Sequence, residues 1–382
     1  MSRWVSVCAA VAMIATGLAA CAPQPDSTPV SVTSSASTVS TEVVPATSSA
    51  TPAPVADPRD TRAQAASLLM VGVTGYDDAL WALQQGVGGI FIGSSTDPAL
   101  LTDPVRNIAT LRAEVGRPFI VSTDAEGGRV LRPVGLVDPL PSARELATTR
   151  SPQEVQNMAY DLGTRLRSLG ITMDFAPVVD VDGGPAEAAI GDRAFSPDPQ
   201  QVADYGHAFA QGLVDAGITP VFKHFPGHGR VQGDSHTGDV YSPDVADMGA
   251  VDLVPFAQSV AAFPNSGVLV GHMKVPGLTE QPASVSPQIY SMLRRGDYPG
   301  GSPFNGIIVT DDVSGMKAIS AHYSTPDAVV ASLLAGADMA LWTSTADLVP
   351  AIDAVVGAVD SGAFPPDWFA ASVRRVKEAA DV

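Results

Sequence analysis

The chain has 382 residues, 45% of them hydrophobic, with 40 acidic against 22 basic side chains and a formal net charge of −18. That length and apolar content suffice for a large buried core, while the negative charge argues against nucleic acid as a partner and against a polybasic membrane patch. Both cysteines, Cys8 and Cys21, fall within the first 21 residues, so the rest of the chain has no disulfide and no thiolate chemistry.

Residues 1–21 read as a signal peptide. Arg3 is a minimal basic n-region, and the apolar run "WVSVCAAVAMIATG" after it is too short to span a bilayer. "LAAC", Leu18 to Cys21, resembles a bacterial lipobox, in which the cysteine is lipidated and becomes the new N-terminus; an ordinary secretory signal cut elsewhere is the alternative. On the lipobox reading the chain is held to the outer face of the cell membrane through Cys21. One acyl chain holds weakly, so such anchoring needs several. Residues 22–57 are rich in Ser, Thr, Pro, Ala and Val and poor in large apolar residues. They bury too little surface to offset their ordering entropy and are expected to form a disordered tether, of a type that can carry O-glycans.

From residue 58 to 382 short apolar runs alternate with amphipathic stretches. The runs are 67–74, 88–94, 118–124, 172–180, 219–225, 267–273, 306–312 and 337–342. Each is near-continuously apolar, as in strands buried on both faces of a parallel sheet. Between them, "PVRNIATLRAEVG", "SPQEVQNMAYDLGTRLRSLG", "DPQQVADYGHAFAQGLVDAG" and "TPDAVVASLLAGA" carry helix start and stop signals, and "PDWFAASVRRVKEAADV" closes the chain as a helix. Eight strand–helix units predict a single (β/α)8 barrel; a doubly wound open sheet is the other architecture with this alternation.

Several of these strands end in polar residues: Asp124, Asp174 and Asp180, Lys223 and His224, His272, and Asp311 with Asp312. Ligands of parallel α/β folds lie at the carboxyl ends of the strands, so these side chains are expected to share one mouth. Helix capping explains an acid or two at such places but not Lys or His. The densest stretch is "KHFPGHGRVQGDSH", residues 223–236, which holds three of the six histidines.

That stretch resembles the signature of the β-N-acetylhexosaminidase branch of glycoside hydrolase family 3. "DAEGGRVLR" (124–132), "DFAPVVDV" (174–181), "IGDRAFS" (190–196), "VGHMKVP" (270–276), "PASVSP" (282–287) and "VTDDVSGM" (309–316) follow the same family in order. The resemblance covers essentially everything after the tether. It implies hydrolysis of a terminal β-linked N-acetylglucosamine with retention, no metal and no cofactor.

Glycoside hydrolysis needs one group at the anomeric carbon and another to protonate the leaving oxygen. Asp311, at the end of the seventh strand, is the candidate nucleophile and matches the family's; Asp312 is the runner-up, one of the two being expected to cap the following helix. Many relatives take their acid from a second domain, which this chain is expected to lack. Asp234 and His236, at i and i+2 of a segment taken as extended, point to one side. They can form a dyad in which the carboxylate orients an imidazole that serves as acid and base, as the resembling branch does. Gly227, Gly229 and Gly233 permit unusual dihedrals around it.

Asp124 is suited to binding a pair of sugar hydroxyls, and Arg132, Arg193, Lys223 and His224 match family positions that bind the N-acetylglucosamine. His272 is either a further sugar ligand or a satisfied core histidine, and His228 a brace for the loop. The chain departs from the family at "DAEGG", where Gln commonly follows the first Asp. It departs again at "DFAPV", where Asn commonly comes first, and by an extra Gly315 in "TDDVSGM".

Three other readings stay open. His224, His228, Asp234 and His236 are a possible zinc set, although their spacing fits no standard motif. A lipid-anchored sugar-binding protein needs no dyad. A phosphorylase would profit from an imidazole acid, which is neutral after giving up its proton and does not repel phosphate. Outside the membrane, the expected partner is an N-acetylglucosamine-containing glycan or muropeptide, acted on by a monomer.

Overall fold

The computed structural model describes residues 58–381; the expected signal peptide, Cys21 and the tether lie outside them. Eight strands form the centre: β1 Leu69–Gly72, β2 Gly89–Ile92, β3 Ile120–Thr123, β4 Met173–Asp174, β5 Thr219–Phe225, β6 Gly267–Val270, β7 Ile307–Thr310 and β8 Ala340–Trp342. All neighbouring strands pair parallel, in the order β8, β1, β2, β3, β4, β5, β6, β7. A parallel bridge between Val309 and Met339, with the Thr310 N–H donating to the Met339 carbonyl at 3.1 Å, brings β7 back against β8. The (β/α)8 expectation therefore holds, and each of the eight apolar runs contains one strand.

The strands are buried on both faces because helices cover the outside and side chains fill the inside. Phe91 of β2 and Phe175 just past β4 stack inside with ring centroids 5.8 Å apart. The helix Pro152–Ser168 starts where its sequence signals a start. Ser151 accepts the Glu154 N–H, the Glu154 carboxylate accepts the Ser151 N–H, and Pro152 occupies the first turn. The helices Pro199–Asp215, Thr325–Ala335 and Pro366–Ala380 also fall on their predicted stretches.

Two local features differ from expectation. The fourth run was read as 172–180, but only Met173 and Asp174 join the ladder. Past Asp174 the pairing with β5 becomes irregular: the Ala176 carbonyl accepts the Val221 N–H at 3.0 Å, Pro177 has no N–H to donate, and Val178 bridges to Lys223. After β3, Ala125–Gly127 and Val130–Leu131 form a small antiparallel hairpin that turns at Gly128, φ 55°.

At the amino end of β8 the fully buried Asp338 ties two outer helices to the barrel. One of its oxygens accepts the Ile308 N–H at 2.8 Å and bonds the Arg294 guanidinium of the helix Pro287–Arg295. The other accepts from Ser372 and from Arg375 of the final helix, both at 3.0 Å. Asp338→Ala would leave two guanidinium groups without their buried counter-charge. It should cost about 3–5 kcal/mol of stability in denaturant unfolding, with no change in the site at the other end of the barrel.

Candidate active site

A cavity of about 240 Å³ opens at the carboxyl ends of the strands. Asp124, Arg132, Arg193, Lys223, His224, His228, His236 and Asp311 line it as expected from the sequence, joined by Glu126, whereas Asp174, Asp180, Asp234, His272 and Asp312 do not. The strands supply the fixed part: Asp124 directly follows β3, Lys223 and His224 lie within β5, and Asp311 directly follows β7.

Lys223 is the centre of the charged wall. Its ammonium is buried and lies 2.6 Å from Asp124 Oδ1 and 2.5 Å from Glu126 Oε1. Glu126, two residues beyond Asp124 on the hairpin, also accepts a two-pronged bond from Arg193, with Nε and Nη2 each at 2.8 Å. Burial opposes the charge on Glu126, but Arg193 and Lys223 outweigh it and hold this carboxyl far below the usual range. Burial likewise works against the Lys223 ammonium, and Asp124 and Glu126 overcome it, so the amine is raised above its ordinary value. Glu126 is not among the site residues expected from the sequence; its place two residues after Asp124 is the available signal. Arg132 reaches the cavity edge and donates from Nε to Ser94 Oγ at 2.7 Å.

His224 is fixed from behind. Its Nδ1 lies 2.6 Å from Asp180 Oδ2, and Asp180 Oδ1 accepts the backbone N–H of His228 at 2.6 Å. Arg193 Nη2 lies 3.3 Å from His224 Nε2. His228 packs edge-on against His224, centroids 5.7 Å apart, and its buried Nδ1 has no hydrogen-bond partner among the described residues. Burial pushes the His228 imidazole down in pKa, towards the neutral form. Gly229 is required by space: a Cβ there would sit 2.2 Å from the Val181 carbonyl oxygen. Its role is close approach, whereas Gly227 and Gly233 do adopt positive φ, 137° and 100°.

The two acids after β7 have separate duties. Asp311 lines the cavity and its own N–H donates to the Val270 carbonyl at 2.9 Å. Burial opposes its charge, but the His224 imidazole, the Asp312 N–H at 2.9 Å and Lys223 together hold the carboxyl below its ordinary value. Asp312 faces the other way. Oδ1 accepts from the Ser314 N–H and hydroxyl at 2.8 and 2.7 Å, and Oδ2 from Thr343 at 2.9 Å. The extra Gly315 fits this turn, since a Cβ there would lie 2.6 Å from Asp312 Oδ2. His272 is fully buried away from the cavity lining, with Nδ1 2.7 Å from the Ser284 hydroxyl and Nε2 2.9 Å from the Asp312 carbonyl. A carbonyl can only accept, so Nε2 carries the proton and Nδ1 accepts from Ser284. With both nitrogens committed, His272 supports the turn that carries Asp312 and offers nothing to a ligand, which corrects its assignment as a sugar-binding residue.

Asp234 and His236 do meet, but across a turn rather than along an extended segment. Asp234 Oδ1 accepts the His236 backbone N–H at 2.9 Å and lies 2.8 Å from His236 Nδ1. The backbone bond comes first among the causes that hold the Asp234 carboxyl below its ordinary value. The pair is open to solvent: the His236 side chain is 65% exposed, with its other edge on the cavity. The loop is held in place from outside, because Ser235 accepts the Ala318 N–H at 3.0 Å and Asp239 is gripped by Lys274 and His322 at 2.7 and 2.8 Å. Among the described residues no three His, Cys, Asp or Glu side chains come together as a metal-binding group, so the four residues of the alternative zinc set are not arranged as one.

A family model described as the glycosyl hydrolase family 3 N-terminal domain matches residues 61–379. The chain belongs to glycosyl hydrolase family 3. It is 44% identical to the β-hexosaminidase LpqI of Mycobacterium tuberculosis over 378 residues, 98% of this chain and 96% of that one. A family 3 glycosyl hydrolase structure from Mycobacterium smegmatis superposes with a TM-score of 0.81 at 46% identity, covering 84% of this chain and 96% of that one. A family 3 β-N-acetylglucosaminidase from Paenibacillus gives a TM-score of 0.77 at 30% identity over 84% of this chain and 63% of that one.

In this family 3 barrel the Glu126 cluster has a pH signature. A carboxyl depressed in the folded state contributes stability above its unfolded pKa, near 4.5, and loses it as pH falls towards the folded value. Glu126→Gln should therefore destabilise the protein by about 3–5 kcal/mol at pH 7. The gap to the wild type should narrow steadily in urea titrations below about pH 4.5.

Proposed function

We propose that this β-N-acetylhexosaminidase is a retaining exo-enzyme that removes terminal β-linked N-acetylglucosamine, with Asp311 as nucleophile and His236, oriented by Asp234, as acid and base. The observation that carries this reading is that a single cavity takes in both the carboxyl of Asp311, held towards its ionised form, and the imidazole that Asp234 grips by Nδ1. In the first step Asp311 bonds to the anomeric carbon as the glycosidic C–O bond breaks, and the His236 proton goes to the leaving oxygen. In the second, His236 takes a proton from water, whose oxygen displaces Asp311. Asp124, Lys223, Glu126, Arg193, Arg132 and His224 present alternating charge to the hydroxyls and acetamido group of the sugar. The similarity to β-hexosaminidases and to a β-N-acetylglucosaminidase supports that substrate class.

Leaving-group dependence tests the assignment. His236→Ala should be severely impaired on a natural disaccharide, whose alkoxide needs a proton. On an activated aryl glycoside it should release a burst of phenol, then turn over slowly because deglycosylation still lacks its base, with azide restoring turnover. Asp311→Asn should show no turnover on either, and a fluorosugar should label Asp311 in the wild type. Equal losses of His236→Ala on good and poor leaving groups, without burst or rescue, would return the loop to a binding flap. An imidazole that is neutral after giving up its proton admits one variation, phosphate as acceptor, which a sugar 1-phosphate among the products in phosphate buffer would reveal.

We further propose that the barrel works outside the membrane, tethered through a lipid on Cys21, on peptidoglycan fragments. The "LAAC" motif and the Ser/Thr/Pro-rich stretch after it support this placement. Cys21→Ala should move the protein from the membrane to the soluble fraction with the activity of the barrel kept; retention in the membrane would overturn the anchor.

A further inference from the structure

Behind the charged wall lies a carboxyl that the mechanism does not use. Asp174, the last residue of β4, is fully buried. Its Oδ1 accepts the Ala125 N–H at 2.8 Å, and its Oδ2 has no hydrogen-bond partner among the described residues. Ala125 is the residue between Asp124 and Glu126, so this bond, with the hairpin pairing to Val130–Leu131 and the Arg132 N–H on the Asp124 carbonyl at 2.8 Å, sets the backbone from which both carboxylates of the wall project.

We propose that Asp174 is a positioning residue that works as an uncharged acid, holding the Asp124–Glu126 segment in register for the sugar as long as it keeps its proton. The charges facing it explain why. From β5 comes the Lys223 ammonium, and from the segment after β3 come Asp124 and Glu126. Lys223 is already bound by both of those carboxylates, and Arg193 by Glu126. Two cations thus balance two anions, and a third carboxylate in the same dry region has no counter-charge. Burial, assisted by Asp124 and Glu126, outweighs the Ala125 N–H and Lys223 and raises this acid to about 8. An ionised Asp174 repels Asp124 and Glu126 and competes with them for Lys223. Ionisation therefore dismantles the wall from behind, and the wall weakens its hold on sugar at alkaline pH.

The functional half of this inference rests on the reading of Asp124 and Glu126 as sugar-binding residues, so the experiment has two arms. The first reads the acid itself. Difference infrared spectra of wild type against Asp174→Asn should show a protonated-carboxyl C=O band at pH 7 that disappears on titration through about 8, and the Ala125 amide proton shift of the wild type should titrate with it. The amide arm needs no variant. A carboxylate already ionised at pH 7 overturns the proposal. The second arm is calorimetric titration with N-acetylglucosamine. Wild-type affinity should fall about tenfold from pH 7 to pH 9, as one unit beyond the pKa leaves about a tenth of the acid protonated. The same ratio for Asp174→Asn should stay within about twofold, because an amide cannot ionise. An equal alkaline loss in both proteins overturns the positioning role. Failure of the sugar to bind either protein, with the carboxyl band still titrating, faults the sugar reading and leaves the neutral acid standing.

Discussion

Everything at this site depends on keeping one ammonium, that of Lys223, charged inside the protein. Removing an ammonium from water costs several kcal/mol unless close counter-charges restore it. Here Asp124 and Glu126 both lie within hydrogen-bonding reach of Lys223 Nζ, and Arg193 completes the balance by taking Glu126 from the other side. The arrangement crosses three separate pieces of chain: the segment after β3, β5, and the loop that carries Arg193. Neutrality in a dry space therefore fixes the relative positions of side chains that are far apart in sequence, and it limits how many further charges the region tolerates. Asp174 stands at that limit.

The two reacting groups are held with different stiffness, and the structural reasons differ. Asp311 directly follows β7, with its N–H bonded across to β6, and Asp312 behind it is occupied with Ser314 and Thr343. A nucleophile must meet one carbon along one line, so a position on the barrel rim suits it. His236 sits on a turn whose anchors are Asp234 within the loop and Ala318, Lys274 and His322 outside it. An acid that becomes a base within one cycle has to exchange with leaving group and water in succession, which a more open position allows.

Much of this was legible from residue patterns. Eight continuous apolar runs identified the eight strands because each is buried on both faces, and polar residues at their ends marked the mouth. The Asp234–His236 pair was legible from spacing, but its geometry was not, since a carboxylate that accepts its neighbour's N–H makes a turn where an extended segment was expected. Glu126 is harder to read: its place two residues after Asp124 is a signal, but nothing in "DAEGG" announces the hairpin that points it at Lys223. Sequence alone leaves His272 between sugar ligand and core histidine for the opposite reason. It ends a strand like a ligand does, yet Ser284 and the Asp312 carbonyl, neither close in sequence, use up both its nitrogens. Local pattern reports which residues lie near the mouth; which atoms remain free there is decided by partners from distant segments.

The stretch 223–236 shows why so much titratable chemistry shares one short segment. Its three histidines are separated by burial. His224 is 6% exposed and locked to Asp180, and His228 is 6% exposed and driven towards its neutral form. His236, by contrast, has a side chain 65% exposed and is paired with a half-exposed Asp234. Burial with fixed partners makes a histidine a rigid contact, whereas exposure leaves the ring within reach of solvent and substrate. Between the two regimes lies the close passage of Gly229 against Val181, which no side chain could make. The glycines and the proline carry the chain within a few residues from a strand interior to solvent. One segment can then supply both a rigid binding surface, where protons must not move, and a dyad, where one must.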